Sequence, residues 1–209
     1  SVYALDESLG LLRFDSLSGR LESIINNIEF VSPNSIAIGA DQTIYVGDSA
    51  CRCVHVYRDG EWQNPLLGFS ADAPYSILAT ADGNFYATDS NDSLGFVRRF
   101  NAEGTTNLFS EEPLEDQPLL FSVDGELQLF NQNTDQILAL DGIGFTAVTT
   151  LDIESSPQYI QQASDGTYVM AEGDTIELVT SDSLLIDSID INDYSLGSII
   201  RGIAVGSDN

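Results

Sequence analysis

The segment Ser35-Ile-Ala-Ile-Gly-Ala-Asp-Gln-Thr-Ile-Tyr-Val-Gly-Asp48 decides the fold, because relatives of it recur along the whole chain. Two alternating apolar runs, Ile36/Ile38 and Ile44/Val46, flank a polar turn at Asp41-Gln42, and the second run ends on an acid. Alternation with a period of two around turn residues reads as a short β-hairpin. The same text returns as Ser76-Ile-Leu-Ala-Thr-Ala-Asp-Gly-Asn-Phe-Tyr-Ala-Thr-Asp89, as Leu120-Phe-Ser-Val-Asp-Gly-Glu-Leu-Gln-Leu-Phe-Asn131 and as Tyr159-Ile-Gln-Gln-Ala-Ser-Asp-Gly-Thr-Tyr-Val-Met-Ala-Glu172. A further copy is split between the chain ends: Gly202-Ile-Ala-Val-Gly-Ser-Asp-Asn209 supplies its first half and Ser1-Val-Tyr-Ala-Leu-Asp6 continues it.

The polar residues that close the second strand, Asp6, Asp48, Asp89, Asn131 and Glu172, are spaced by 42, 41, 42 and 41 residues, and the wrap through the termini adds 43. Turn aspartates Asp41, Asp82, Asp124, Asp165 and Asp208 keep the same beat. A period of roughly 40 to 45 residues with several short strands per unit is the signature of propeller blades. The reading is an all-β chain, a five-bladed β-propeller of four-stranded antiparallel blades forming one domain over 1–209. The blades span about 33–67, 74–109, 117–151 and 157–189, and the fifth combines 199–209 with 1–25. In that fifth blade a C-terminal strand at 199–205 pairs with the N-terminal strand at 1–5 and closes the ring, which leaves no sheet edge at the chain ends.

Turn chemistry supports the hairpins. Asp-Gly stands at 59–60, 82–83, 124–125, 141–142 and 165–166, and Asp-Gly between alternating apolar runs is a strong hairpin signal, because type I′ turns need positive φ at both central positions. Pro33, Pro74, Pro118 and Pro157 stand at the entry to the first strand of four units, where a missing N–H is tolerated. No long amphipathic helical pattern interrupts the repeat.

Composition narrows function. Acidic residues number 33 against 7 basic ones, all arginine, for a net charge of −26. Such a surface repels phosphate backbones and anionic lipid, which argues against nucleic-acid and membrane-surface partners. No apolar run reaches the roughly 18 to 20 residues of a membrane-spanning helix, and a chain beginning at Ser1 rather than Met reads as processed or trimmed. Richness in Asp, Asn, Ser and Thr points to salty or calcium-rich surroundings, hence an extracellular, cell-surface or periplasmic location. Two cysteines, Cys51 and Cys53, are too few for a disulfide framework.

The run Ile36-Ala-Ile, Asp41, Ile44-Tyr-Val, Asp48, Arg52, Val54 and Tyr57 resembles the NHL-type propeller repeat, as does Gly202-Ile-Ala-Val followed by Val2-Tyr-Ala-Leu-Asp6. The resemblance covers the whole chain and implies an architecture shared by scaffolds, binding modules and enzymes, so fold alone does not assign function. Propeller lyases of the streptogramin-inactivating type use a histidine, and this chain has a single one, His55. Propeller lactonases hold a divalent ion with oxygen ligands in the central channel. The corresponding positions here, Asn34, Tyr75, Leu119, Gln158 and Arg201, suit a hard cation poorly.

The function expected is therefore non-catalytic recognition of carbohydrate or another protein through loops on one propeller face. A metal-dependent hydrolase or lyase, and a structural unit within a larger adhesin or self-associating assembly, are the alternatives. Asn34, Tyr75, Gln158 and Arg201, where the repeat breaks at channel-side ends of the first strand, and Tyr194, an aromatic near the same face, are the candidate ligand-binding residues. The loop around Asp89-Ser-Asn-Asp-Ser93 is the longest between second and third strands, and Asp89, Asn91 and Asp92 within it are a candidate calcium site. The residues shared by all units, Asp6, Asp48, Asp89, Asn131 and Glu172, are instead expected to accept loop N–H groups. Cys51, Cys53 and His55 alternate on one strand face, where positions i and i+4 stand roughly 13 Å apart. That spacing keeps all three from one ion, although two sulfurs in reach of each other could oxidise.

Overall fold

The computed structural model describes residues 2–6, 10–14, 20–25, 30–70, 73–80, 82–91, 94–101, 106–108, 114–115, 118–123, 126–141, 144–153, 156–163 and 165–190. They form an all-β protein of successive antiparallel sheets with the β-propeller fold. The chain divides into two compact units, Ser1–Asp92 with Val97–Asn107, and Ser93–Phe96 with Leu108–Asn209.

In the first unit β1 (Val2–Asp6), β2 (Gly10–Phe14) and β3 (Leu21–Ile25) make a three-stranded sheet in sequence order. The next blade is β4 (Pro33–Ile38), β5 (Ile44–Asp48) and β6 (Cys53–Arg58), with an outer strand in two pieces, β7 (Glu61–Trp62) and β8 (Leu66–Leu67). Both pieces pair with β6, but the register moves by one residue between Tyr57↔Trp62 and Cys53↔Leu67. Pro65 lies in that break, where a residue without an N–H cannot donate to the ladder.

The following blade contains β9 (Ile77–Ala79), β10 (Phe85–Asn91), β11 (Leu94–Phe100) and β12 (Thr106–Leu108), with β13 (Leu114–Glu115) pairing back onto the start of β11. The second unit adds two four-stranded blades. One is β14 (Leu119–Val123), β15 (Glu126–Asn131), β16 (Gln136–Asp141) and β17 (Gly144–Thr150). The other is β18 (Tyr159–Gln162), β19 (Tyr168–Glu172), β20 (Thr175–Val179) and β21 (Leu185–Asp190).

The described residues thus hold four complete blades, not the five read from the sequence, together with the sheet β1–β3. The strand at 199–205 that was to complete a fifth blade and close the ring lies outside them, as do Arg201 and Tyr194.

Apolar contact between neighbouring sheets supplies the core. Tyr45 stacks on Phe85 with centroids 4.2 Å apart, and Phe85 lies on Phe100 at 4.5 Å. Val54, Val56, Phe69 and Ile77 are buried around these rings. Between β1–β3 and the next blade, Leu11, Phe30, Ile44 and Val46 are buried together. In the second unit Phe121, Phe130, Ile137, Leu151, Ile160, Tyr168 and Met170 do the same. Burying such side chains is worth about 1.5–3 kcal/mol each, and they come from third strands (Val54, Val56, Phe100, Ile137) and linkers (Phe30, Phe69, Leu151) as well as from the two apolar runs of each repeat.

The hairpin turns correct one expectation. At the first-to-second-strand turn, Gln42 N–H donates to Gly39 O at 2.9 Å and Gly39 N–H to Thr43 O at 2.8 Å. Only Gln42 there has positive φ, 67°. This is a type I turn followed by one left-handed residue, not a type I′ turn. The equivalent left-handed positions are Gly83 and Gly166, and Ser183 takes the same conformation in the turn between β20 and β21. The type I′ geometry occurs at Asp59-Gly60, with φ of 54° and 84°.

Candidate functional site

At or near the end of the second strand of each described blade stands a side chain that accepts N–H groups from neighbouring loops: from the incoming linker at Asp48, Asp89 and Glu172, and from the following turn at Asn131. Asp48 is fully buried. Its Oδ2 accepts the Val31 N–H at 2.8 Å, and its Oδ1 accepts N–H groups of Ser32 at 3.1 Å, Ala50 at 3.1 Å and Cys51 at 3.3 Å. Asp89 accepts the Ser70 N–H at 2.9 Å, Asn131 the Asn133 N–H at 3.1 Å and Glu172 the Ser156 N–H at 3.2 Å. These residues do accept loop N–H groups, as the repeat implied; the side chain of Asp6 lies outside the described residues.

Asp89 has a second partner. Arg98 donates to its Oδ2 at 3.1 Å and to Gly68 O at 2.9 Å, while the guanidinium lies 5.0 Å from the Phe69 centroid and 5.6 Å from that of Phe100. The segment expected to be the longest loop is largely ladder: β10 runs through Asn91 and β11 resumes at Leu94. Asp92 and the side chain of Asn91 lie outside the described residues.

Of the expected ligand-binding residues, Asn34 is half-buried in β4, where its Oδ1 accepts the Ser35 hydroxyl at 3.2 Å. It lies over Gly47, where an added Cβ would come within 3.2 Å of that oxygen and meet Ser35 Oγ still more closely. Tyr75 is half-buried ahead of β9. Gln158 is exposed, its N–H donating to Ala171 O at 2.8 Å. Within the second unit a half-open cleft of about 330 Å³ is lined by Pro157, Met170, Glu172, Asp174, Thr175 and Glu177.

The densest chemistry among the described residues lies where β5 turns into β6. Cys51 and Cys53 are joined by a disulfide. His55 Nε2 stands 3.7 Å from Cys51 Sγ, 3.5 Å from Cys53 Sγ and 3.7 Å from Asp48 Oδ2. The expectation that these three side chains cannot meet is overturned. β6 begins only at Cys53, and Cys51 belongs to a turn in which Arg52 takes φ 56° and its N–H donates to Ser49 O at 3.3 Å. The chain folds back, so the 13 Å of an extended strand does not separate the two side chains. The register in which Asp48 pairs with Cys53 is what decides this, since a hairpin closed at those two residues must carry Cys51 in its turn.

The imidazole is held by rings as well as by the acid. Phe30 meets His55 edge-on at 5.3 Å and Trp62 at 5.6 Å, and Trp62 stands 6.3 Å from His55. Burial lowers the His55 pKa, and the Asp48 carboxylate opposes that shift without cancelling it. The shift favours the neutral ring, in which one nitrogen carries a lone pair.

Among solved structures, the chain is similar to a protein in the crystal structure of a nidogen/laminin complex, with a TM-score of 0.75 at 18% identity over 96% of this chain and 78% of that one. A virginiamycin B lyase from Staphylococcus aureus aligns with a TM-score of 0.66 at 15% identity, covering 99% of this chain and 74% of that one. A candidate gluconolactonase aligns at 0.66 and 14% identity, covering 96% and 75%. At these identities the likeness shows the β-propeller fold alone. No protein family and no curated protein matches the sequence.

Proposed function

We propose that this propeller is a non-catalytic binding module, working outside the cell or at its surface, whose ligand is another protein; carbohydrate is the alternative ligand. The observation that carries the reading is the outer strand of the last described blade. Leu184, Leu185 and Ile186 are 66%, 52% and 54% exposed on or beside β21, in a chain of net charge −26. Large aliphatic side chains grouped and more than half exposed on an outer strand are the kind of surface that a partner covers. The propeller solved in a nidogen/laminin complex is consistent with such use.

Affinity capture with the wild type and a Leu185→Asp/Ile186→Asp double variant, beside a glycan array run with and without calcium, tests this. A protein retained by the wild type and lost by the variant supports the reading. Glycan signal unchanged in the variant replaces it with a lectin acting through its loops. Asn34, Tyr75, Gln158, Tyr194 and Arg201 would then be the residues to replace, and Asp89, Asn91 and Asp92 the calcium ligands.

The proposal includes an NHL-like, five-bladed ring in one domain, with 199–205 as the fourth strand of the sheet β1–β3. A cysteine pair introduced at Tyr3 and Ala204 should then oxidise to a disulfide, and failure to do so under oxidising conditions sinks ring closure. The second functional reading is a divalent-metal-dependent hydrolase or lyase, favoured by the cleft that gathers Glu172, Asp174 and Glu177. Metal-dependent turnover of a lactone, lost in Asp174→Asn, would establish it. Membership of a larger adhesin or assembly is compatible with the same exposed strand.

A further inference from the structure

The turn between β5 and β6 carries chemistry that neither ligand recognition nor folding explains. A disulfide between residues two apart closes a very small loop and so removes little chain entropy from the unfolded state. The repeat itself has no use for it, because the equivalent turn after Asn131 reads Gln, Asn, Thr, Asp and Gln where this one reads Ser, Ala, Cys, Arg and Cys.

Its surroundings are those of a ligand set. The two sulfurs and His55 Nε2 all lie within 4.8 Å of one another. The nitrogen-to-sulfur separations are 3.7 and 3.5 Å. A tetrahedral zinc ion, with metal–sulfur bonds of about 2.3 Å and metal–nitrogen bonds of about 2.0–2.1 Å, sets its nitrogen and sulfur ligands about 3.6 Å apart. Two of the three ligand edges thus already have the required length, and only the sulfurs must separate. Cys53 is buried at the start of β6, whereas Cys51 is exposed on the turn, so rotating the Cys51 side chain opens that edge. Phe30 and Trp62 fix the imidazole plane. Asp48, its oxygens occupied by four backbone N–H groups, anchors the turn and adds negative charge beside the site.

We propose that Cys51 Sγ, Cys53 Sγ and His55 Nε2, once the disulfide is reduced, form a three-ligand site for a thiophilic divalent cation of the zinc class, with a fourth position open to solvent. Disulfide and metal are then exclusive occupants of one turn, and redox state gates binding. Reduction needs two electrons and two protons, both supplied by an external dithiol that leaves as its own disulfide. The incoming cation displaces the two thiol protons to solvent, and His55 contributes its Nε2 lone pair while keeping its proton on Nδ1. Two thiolates and an imidazole favour zinc-class ions over calcium or magnesium. The site is independent of which ligand the propeller recognises.

The test uses the full chain, reduced with a dithiol, desalted without oxygen and titrated with Co2+ as probe. The expected result is one equivalent bound, with thiolate-to-cobalt absorption in the near ultraviolet and tetrahedral bands in the visible, displaced by Zn2+ and insensitive to excess Mg2+. The oxidised chain and a Cys51→Ser/Cys53→Ser double variant should show neither absorption. His55→Ala should weaken binding by at least about tenfold, since losing a ligand costs no less than losing a group that orients one. Equal binding by the oxidised chain or the double-serine variant would assign the metal to surface carboxylates and overturn the proposal. So would a reduced chain that keeps the near-ultraviolet dichroism of Trp62 yet shows no thiolate band. Loss of that dichroism on reduction also overturns it, because the ligand set would not exist in the folded dithiol state.

Discussion

At the residue scale, one acid decides more than any other side chain. Asp48 satisfies four backbone N–H groups from two separate segments, the linker at 31–32 and the turn at 50–51. A hydrogen bond to a charged group contributes about 1.5–3 kcal/mol, and a buried donor left without a partner adds its own penalty. Asp48→Ala should therefore destabilise by about 3–5 kcal/mol in denaturant titration, and Asp48→Asn by less, since an amide keeps one acceptor. A loss below about 1 kcal/mol in Asp48→Ala would show that water replaces the carboxylate.

The turn aspartates set a pH dependence. Asp82 has its pKa lowered, chiefly by the Thr80 hydroxyl at 2.6 Å and then by Asn84, against the opposing effect of partial burial. Asp165 is lowered by hydrogen bonds from Thr167. A folded pKa below the unfolded value means that the contribution is full above about pH 4 and is lost as pH falls through the folded value. The melting temperature should fall between about pH 4 and pH 2, and Asp82→Asn/Asp165→Asn should flatten that fall. An unchanged slope in the double variant would place the dependence on other carboxylates.

At the scale of elements, the left-handed residue of each hairpin separates what is required from what is tolerated. Gln42 adopts φ 67° where sibling turns place Gly83 and Gly166. Gln42→Gly should stabilise the chain by about 0.5–1 kcal/mol, because only glycine enters that region without strain. Blade contact makes the opposite prediction at Phe85, which is 1% exposed and stacked between Tyr45 and Phe100. Phe85→Ala should cost about 3–5 kcal/mol and broaden or abolish the unfolding transition. A loss near that of an exposed phenylalanine would mean that the blades do not depend on this stack.

At the scale of the whole molecule, charge opposes compactness. With a net charge of −26, self-repulsion destabilises the folded state, and salt screens it over a Debye length of about 10 Å at 0.1 M. The melting temperature should therefore rise steadily from about 0.01 M to about 0.5 M sodium chloride. A flat response would show that local pairs such as Arg98 with Asp89 already neutralise the important charges.

The repeat by itself determined the strands, their order within each blade and the acids that tie down the linkers. It could do so because alternation, turn residues and a closing acid are local features that a period of about 40 residues restates in every unit. It failed where conformation depends on what lies across the turn. The kind of hairpin at Gln42 and the continuation of β10 through Asn91 are set by pairing partners, not by composition. The meeting of Cys51, Cys53 and His55 is the clearest case. In sequence they are three residues on an extended strand, and only the closure of the hairpin at Asp48 and Cys53 turns the first of them back over the other two, because a buried acid has to reach the N–H groups of that turn.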